Sequence, residues 1–160
     1  MRSCLPLGKV DKVEAELLSG LEGVRRENRI FRELQGQIMA YFEGVRVDLG
    51  ADLPIVLDGF SVFGRAVLTA CRSVTFGSTI SYGELARRAG KGSAVRAAGG
   101  VMARNPLPLI IPCHRVIRSD GRPGGFSAAG GVEVKWRLLE HEKGCLEGGK
   151  STQKCMAGQE

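Results

Sequence analysis

Apolar residues fall at 30, 31, 34, 38, 41 and 42 within RIFRELQGQIMAYF (29–42). That spacing predicts a helix with one buried face, stopped at Gly44. Residues 9–24 are only weakly amphipathic, and VRVDLGADLPIVLDG alternates briefly before it turns, which predicts a strand, a linker and a domain boundary near Asp58. The second half is more regular. FSVFGRAVLTACRSV (60–74) places apolar residues at 60, 63, 67, 70, 71 and 74, the spacing of a core helix. After the turn TFGSTIS, Ser81 followed by Glu84 three residues on reads as a capping box. The helix it opens, YGELARRAG, ends at Gly90, and Ser93 is placed to cap AVRAAGGVMARN (94–105). Two short helices around a tight glycine turn form the helix-turn-helix pattern. In NPLPLIIPCHRVIRSDGRPGG the proline pair holds the chain extended, LIIP predicts a short buried strand or the approach to one, and RSDGRPGG a turn. The final helix, VEVKWRLLEHEKG (132–144), has apolar residues at 132, 136, 138 and 139 and stops at Gly144, leaving 145–160 as a tail.

Charge sharpens this picture. The net charge is +6 over 160 residues, but residues 1–58 carry eight Lys/Arg against ten Asp/Glu, whereas residues 87–122 carry eight Lys/Arg against Asp120 alone. A concentrated basic window over a helix-turn-helix points to a polyanion, nucleic acid first. The helix at 94–105 is rich in Ala and Gly, which suits either tight packing or close approach of a nucleic-acid backbone; Arg87, Arg88, Lys91, Arg96 and Arg104 favour the second. No apolar run nears the roughly 20 residues that span a bilayer, and the N-terminus lacks a signal-peptide pattern. Five cysteines, none spaced C-x-x-C, predict free thiols in a reducing compartment, the cytoplasm or the nucleus of a eukaryote. With two histidines and no ligand cluster of finger-like spacing, a zinc site is not expected.

Within the basic window, IIPCHRVIRSDG (110–121) sets Cys113 beside His114, with arginines at 115, 118 and 122. A thiol attacks carbon as thiolate and needs a base or a positive field to become one. Neighbouring side chains of an extended segment face opposite ways, so a bridging water is the easier route from Cys113 to His114. Glu142, on the last helix, is a candidate to orient the imidazole. A buried, inert thiol is the commonest fate of free cysteine, and a CH dipeptide alone does not outweigh it.

IPCHRV (111–116) resembles the active-site motif of the O6-alkylguanine-DNA alkyltransferases, which reverse DNA damage directly. TISYGELA (79–86), AVRAAGGVMARNPLPLIIPCHRVIRSDG (94–121) and VKWRLLEHE (134–142) resemble further family blocks in the same order, together covering most of residues 60–143. The resemblance implies an α+β protein. An N-terminal α/β support domain (1–58) with a ribonuclease-H-like antiparallel sheet precedes a mostly helical, winged-helix-like domain (59–144) with the helix-turn-helix. It implies a monomer that binds duplex DNA in the minor groove, flips the alkylated guanine and moves the alkyl group irreversibly to Cys113, without cofactor. His114, through water, is then the base and Glu142 its orienter. Tyr82 matches the tyrosine that aids rotation of the nucleotide and donates to guanine N3. Arg96 matches the finger that fills the vacated stack, and Asn105 the hinge asparagine. Val116 offers its carbonyl to the guanine amine, and Ser127 lies near O6. Ser81, Ala94, Ala97 and Gly99 are expected along the DNA face. Phe126 stands where the family has a tyrosine, and the loop GGFSAAGGVE is about two residues longer than its counterpart. A DNA-binding helix-turn-helix protein without transferase activity is the main alternative, and a thiol hydrolase using Cys113 and His114 a second; retention of the cysteine argues against the first, and the adjacency and basic field against the second.

Overall fold

Leu34, Ile38 and Tyr41 lie one helical turn apart, and their face closes α1 (Arg32–Phe42) against the rest of the chain, with Leu34 and Tyr41 buried. The helix stops at Gly44, at φ 89°, where the Gly44 amide bonds the Tyr41 carbonyl and the Val45 amide the Ala40 carbonyl, the paired bonds of a Schellman end. A computed structural model describes residues 31–50, 52–128 and 130–147.

The segment after α1 corrects the sequence reading: residues 45–50 and 52–58 form no strand. A strand requires a ladder partner, and here the carbonyls of Gly50 and Leu53 accept instead from the Arg72 guanidinium. The predicted antiparallel sheet therefore has no strand among residues 31–58 that are described. The rest of that expectation, like the weakly amphipathic stretch at 9–24, falls on residues 1–30, outside the described residues.

Three helices make the centre of the molecule. In α2 (Val62–Arg72) the Ser61 hydroxyl caps the start by accepting from the Gly64 amide at 3.1 Å. Ser81 does the same for α3 (Tyr82–Arg88), accepting from the Glu84 amide at 3.1 Å. The capping box is half made, because the Glu84 carboxylate is taken by Arg87 and Arg88. Gly90, at φ 84°, closes α3 with a second Schellman pair, Gly90 to Arg87 and Lys91 to Ala86. Ser93 does not cap the next helix. Ala94 precedes α4 (Val95–Met102) with no side-chain bond, and α4 ends three residues before the predicted limit. The three helices pack on one another through Val67, Leu68, Leu85, Ala86, Ala98 and Val101.

A single small sheet is present among the described residues. β1 (Ile80–Ser81) runs parallel to β2 (Val116–Ile117), with Ile80 opposite Val116 and Ser81 opposite Ile117. This pair fixes the active-site segment against the start of α3. The approach, Leu107 to Pro112, is buried as expected but is a chain of turns, not a strand. Leu109 sits in the left-handed region at φ 73°, a conformation that costs a non-glycine residue energy and is held here by burial of its side chain. Cys113–Arg115 is one turn of 3-10 helix.

The last helix, α5 (Gly131–Glu147), runs through Gly144. A mid-helix glycine costs only about 1 kcal/mol relative to alanine, and packing beyond it offsets that cost: Cys145 joins the second core cluster, and Leu146 lies on Gly77. The helix thus includes the first three residues of the predicted tail, and residues 148–160 lie outside the described residues. The buried face also differs. Val132 and Trp136 are exposed, while Val134, Lys135, Leu138 and Glu142 face inward.

Candidate active site

Cys113 opens the 3-10 turn at the floor of a cleft of about 800 Å³. The cleft is walled by Tyr82 from α3, Arg96 and Gly99 from α4, and Gly124, Phe126 and Ser127 from the loop before α5. Cys113 is 8% exposed and lines this cleft, so it is both buried and open to it. Burial raises its pKa, while hydrogen bonds from the Asn105 side chain and from the amides of Cys113 and His114, with the charge of Lys135, act in the other direction. At rest Cys113 is a thiol, and it needs a base.

The hinge at Asn105 is built by its own side chain. Its Nδ2 donates to the Ile111 carbonyl at 2.7 Å and its Oδ1 accepts from the Leu107 amide at 3.1 Å. The end of α4 and the approach to Cys113 are thereby locked together.

His114 is 1% exposed and its Nε2 lies 2.8 Å from Glu142 Oε1. Burial alone would raise Glu142, but hydrogen bonds and charge from His114 and Arg115 bring its pKa down to about 2. An ionised carboxylate only accepts, so Nε2 carries the imidazole proton and Nδ1 keeps its lone pair. Burial lowers the pKa of His114, only partly countered by Glu142, and the ring is neutral at physiological pH. The result is a carboxylate holding an imidazole in the tautomer of a base. The 3-10 turn replaces the extended geometry predicted for this dipeptide.

Glu142 is saturated with donors. The Gly77 amide bonds Oε2 at 2.8 Å; Gly77, at φ 73° with Leu146 pressed on it, holds a backbone that a side chain would obstruct. Arg115 reaches both oxygens, at 3.1 and 2.9 Å, and also donates to the Val74 carbonyl at 2.6 Å. Arg115 is 3% exposed. This corrects its grouping with the DNA-facing arginines: it is a core residue. Arg118 and Arg122 share Asp120 at 3.3 and 3.1 Å, whereas Lys91, Arg96 and Arg104 have no carboxylate partner among the described residues.

Two functional residues escaped the sequence reading. Lys135 is fully buried on α5, donates to the Val116 carbonyl at 2.5 Å and lies 3.5 Å from the Tyr82 hydroxyl. Burial brings its pKa down to about 8, with the thiols of Cys113 and Cys71 pulling the other way. It is the cation that acts on the Cys113 thiol. Tyr41 is the second, and it donates to Glu142 Oε1 at 3.0 Å. Lys135 was findable, since it stands three and seven residues before Leu138 and Glu142, on one helical face.

The other predicted residues distribute around the cleft. Tyr82 is half-buried, with burial and then the charges of Cys113 and Cys71 raising its pKa, so it stays a donor at neutral pH. Gly124 gives it room; a Cβ there would lie 3.0 Å from the ring. Arg96 and Ser127 are exposed at the rim, Ala97 is exposed on α4, and Ala94 and Gly99 are partly covered. The Ser81 hydroxyl is committed to its cap, and the Val116 carbonyl already accepts from Lys135. No helix among the described residues is long and apolar enough to cross a membrane.

Residues 62–144 match the family model described as 6-O-methylguanine DNA methyltransferase, DNA binding domain. The methylated-DNA–protein-cysteine methyltransferase of Methanothermobacter thermautotrophicus is 43% identical over 145 residues, covering 86% of this chain and 78% of the relative. The Mus musculus protein of the same name is 39% identical over 131 residues, which span 79% of this chain but 60% of the mouse protein. The Mycobacterium tuberculosis OGT solved in complex with DNA superimposes with a TM-score of 0.60 at 36% identity, covering 69% of this chain and 66% of that one. With more than half of its length under the family model and an archaeal relative matched over most of both chains, the chain belongs to the O6-methylguanine-DNA methyltransferase family.

Proposed function

We propose that this protein repairs DNA by direct reversal, transferring the alkyl group of O6-alkylguanine to its own Cys113 in a single turnover. The observation that carries the reading is the placement of Cys113, buried yet open to the cleft between the Tyr82–Arg96 wall and the Ser127 loop. The target carbon is out of reach inside a duplex, so the base must leave the stack at a cost of a few kcal/mol. Arg96, on the first turn of α4, is the residue to fill the gap. The winged-helix-like and ribonuclease-H-like descriptions of the two parts, the minor-groove mode and the monomeric state belong to the same proposal. α4 supports close approach through Ala94, Ala97 and Gly99.

The chemistry balances without a co-reactant. His114 Nδ1, through a water, takes the thiol proton. The sulfur attacks the alkyl carbon, the carbon–O6 bond breaks, and a thioether forms. The guanine leaves with a proton supplied toward N3, where Tyr82 is the donor, and Lys135 beside the Tyr82 hydroxyl can replace that proton. Asn105 and the amides of the 3-10 turn steady the sulfur as charge develops.

Duplex DNA containing O6-methylguanine, followed by intact mass and peptide mapping, tests the reading. One methyl group on Cys113 is expected. DNA binding with no gain in mass would favour the non-transferring alternative. In the same assay Arg96→Ala should lose far more activity on duplex than on free O6-benzylguanine, and equal losses would remove the finger role.

A further inference from the structure

Glu142 carries one donor more than an orienting carboxylate requires. Tyr41, one residue before the end of α1, gives its hydroxyl proton to Oε1, the oxygen that also meets His114 Nε2. The side chain has no exposure to solvent, and its ring stands edge-on to Phe42 and Phe76 with centroids 5.1 and 5.7 Å apart. The Tyr41 carbonyl also lies 2.7 Å from His141 Nε2. One residue of α1 is therefore tied to two consecutive residues of α5, across a sequence separation of 101 for the hydroxyl bond. Burial, then the charge and hydrogen bond of Glu142, push the phenol far above its ordinary range, and it remains a donor throughout the working pH range.

A carboxylate oxygen that already receives a phenolic proton is a poorer acceptor for a second donor. Each bond it accepts disperses its charge, and the imidazolium beside it is stabilised less. We propose that Tyr41 is a positioning residue for the base of the transfer reaction: it shares Glu142 Oε1 with His114, limits the pull of that carboxylate, and keeps the imidazole neutral and ready to accept the Cys113 proton. This rests on the transfer reading above. It gives α1 a part in the chemistry beyond packing, because the hydroxyl contributes nothing to the apolar face of the helix.

The other groups around the pair are fixed in the comparison. His114 faces Glu142 and Lys135 from α5, and Cys113 and Arg115 in its own turn. Asp48, in the segment after α1, stands 3.5 Å from Arg115. Glu142 faces Tyr41, His114, Arg115, the Gly77 amide and the Cys145 thiol one turn away. Only the bond from Tyr41 changes in the variants below.

The test is the rate of single-turnover methyl transfer as a function of pH, with thermal melting at each pH. Transfer needs neutral His114, so the rate climbs as pH rises through the titration of that residue. Tyr41→Phe frees Oε1, strengthens its hold on the imidazolium, and should move the acid limb to higher pH by about half a unit to one unit. On the alkaline plateau, where His114 is neutral in every variant, the rate should change far less than on the acid limb. Incorporation of 3-fluorotyrosine at position 41, a stronger donor of nearly the same shape, should move the limb to lower pH. If Tyr41→Phe does not fold, the fluorinated protein decides alone. Acid limbs that coincide across wild type and variants, with the wild type transferring normally, overturn the proposal; so does a uniform loss of rate that follows melting temperature. A wild type that transfers no methyl group overturns the transfer reading itself and takes this inference with it.

Discussion

Glu84 and Glu142 are each bound by two basic side chains, and each has its carboxyl held near a pKa of 2. Glu84 sits on the surface of α3, where hydrogen bonds from Arg87 and then Arg88 lower it; those two arginines are 70% and 46% exposed. Glu142 is 1% exposed and receives His114, Arg115, Tyr41 and an amide. The same depressed pKa means different things in the two places. In water the Glu84 charges are solvated with or without one another, and their pairing counts for little. In the interior each partner of Glu142 has given up its water, so removing one leaves the rest uncompensated.

Glu142→Gln tests that difference at its largest. It keeps the volume and removes the charge, leaving the buried Arg115 with only the exposed Asp48 carboxylate 3.5 Å away. Breaking a buried pair costs about 3–5 kcal/mol, to be read by denaturant titration. His114 loses the partner that holds its tautomer, and the rate of transfer to Cys113 should fall on the order of 100-fold. A variant as stable as the wild type would mean that the buried cluster is no more than a surface pair relocated.

Acid sharpens the comparison next. The folded-state pKa of Glu142 lies near 2 against an ordinary value of 4.5, so the folded state binds fewer protons between these values. The stabilisation is fully present above about pH 4.5 and is lost as pH falls toward 2. Wild-type protein should lose melting temperature steeply across that window, and Glu142→Gln should lose much less of it there. Parallel melting curves for the two proteins would contradict the assignment.

What the sequence disclosed follows the same division between local and distant. The cap at Ser81, the stop at Gly90 and the helices α2 to α4 depend on neighbours a few residues away, and local pattern is enough to place them, although it put a cap at Ser93 that is not made and passed over the one at Ser61. Cys113, His114, Tyr82, Asn105 and Arg96 were identified by short blocks resembling a known family, and the fold gathers four of them around one cleft or its hinge. Long-range polar partners were hidden. Tyr41 counted only as an apolar position of α1, because its hydroxyl partner lies on the last helix. Arg115 was grouped with its basic neighbours because charge counting does not register burial. On α5 the visible apolar residues Val132 and Trp136 drew attention to the face that is exposed, while Lys135 and Glu142, charged but fully satisfied, line the one that is buried. The segment at 45–58 looked like a strand because alternation alone does not reveal that its carbonyls are taken by Arg72.

Glu84→Gln is the smallest perturbation and the other end of the comparison. The cap of α3 does not depend on its charge, since Ser81 accepts from the Glu84 amide and not from the carboxylate. Melting temperature should therefore move on the order of one degree, and the acid profile should keep the wild-type shape. DNA binding is where the charge counts. Arg87 and Arg88 are held by Glu84 and share the basic window of the sequence with Lys91 and Arg96. Freed from the carboxylate, each can meet one phosphate. Each added phosphate contact steepens the slope of log affinity against log salt by about 0.9, so titrations from low to moderate salt should show a slope steeper by at most about two contacts. An unchanged slope with a changed melting temperature would reverse the assignment, making Glu84 a structural carboxylate whose arginines never face DNA.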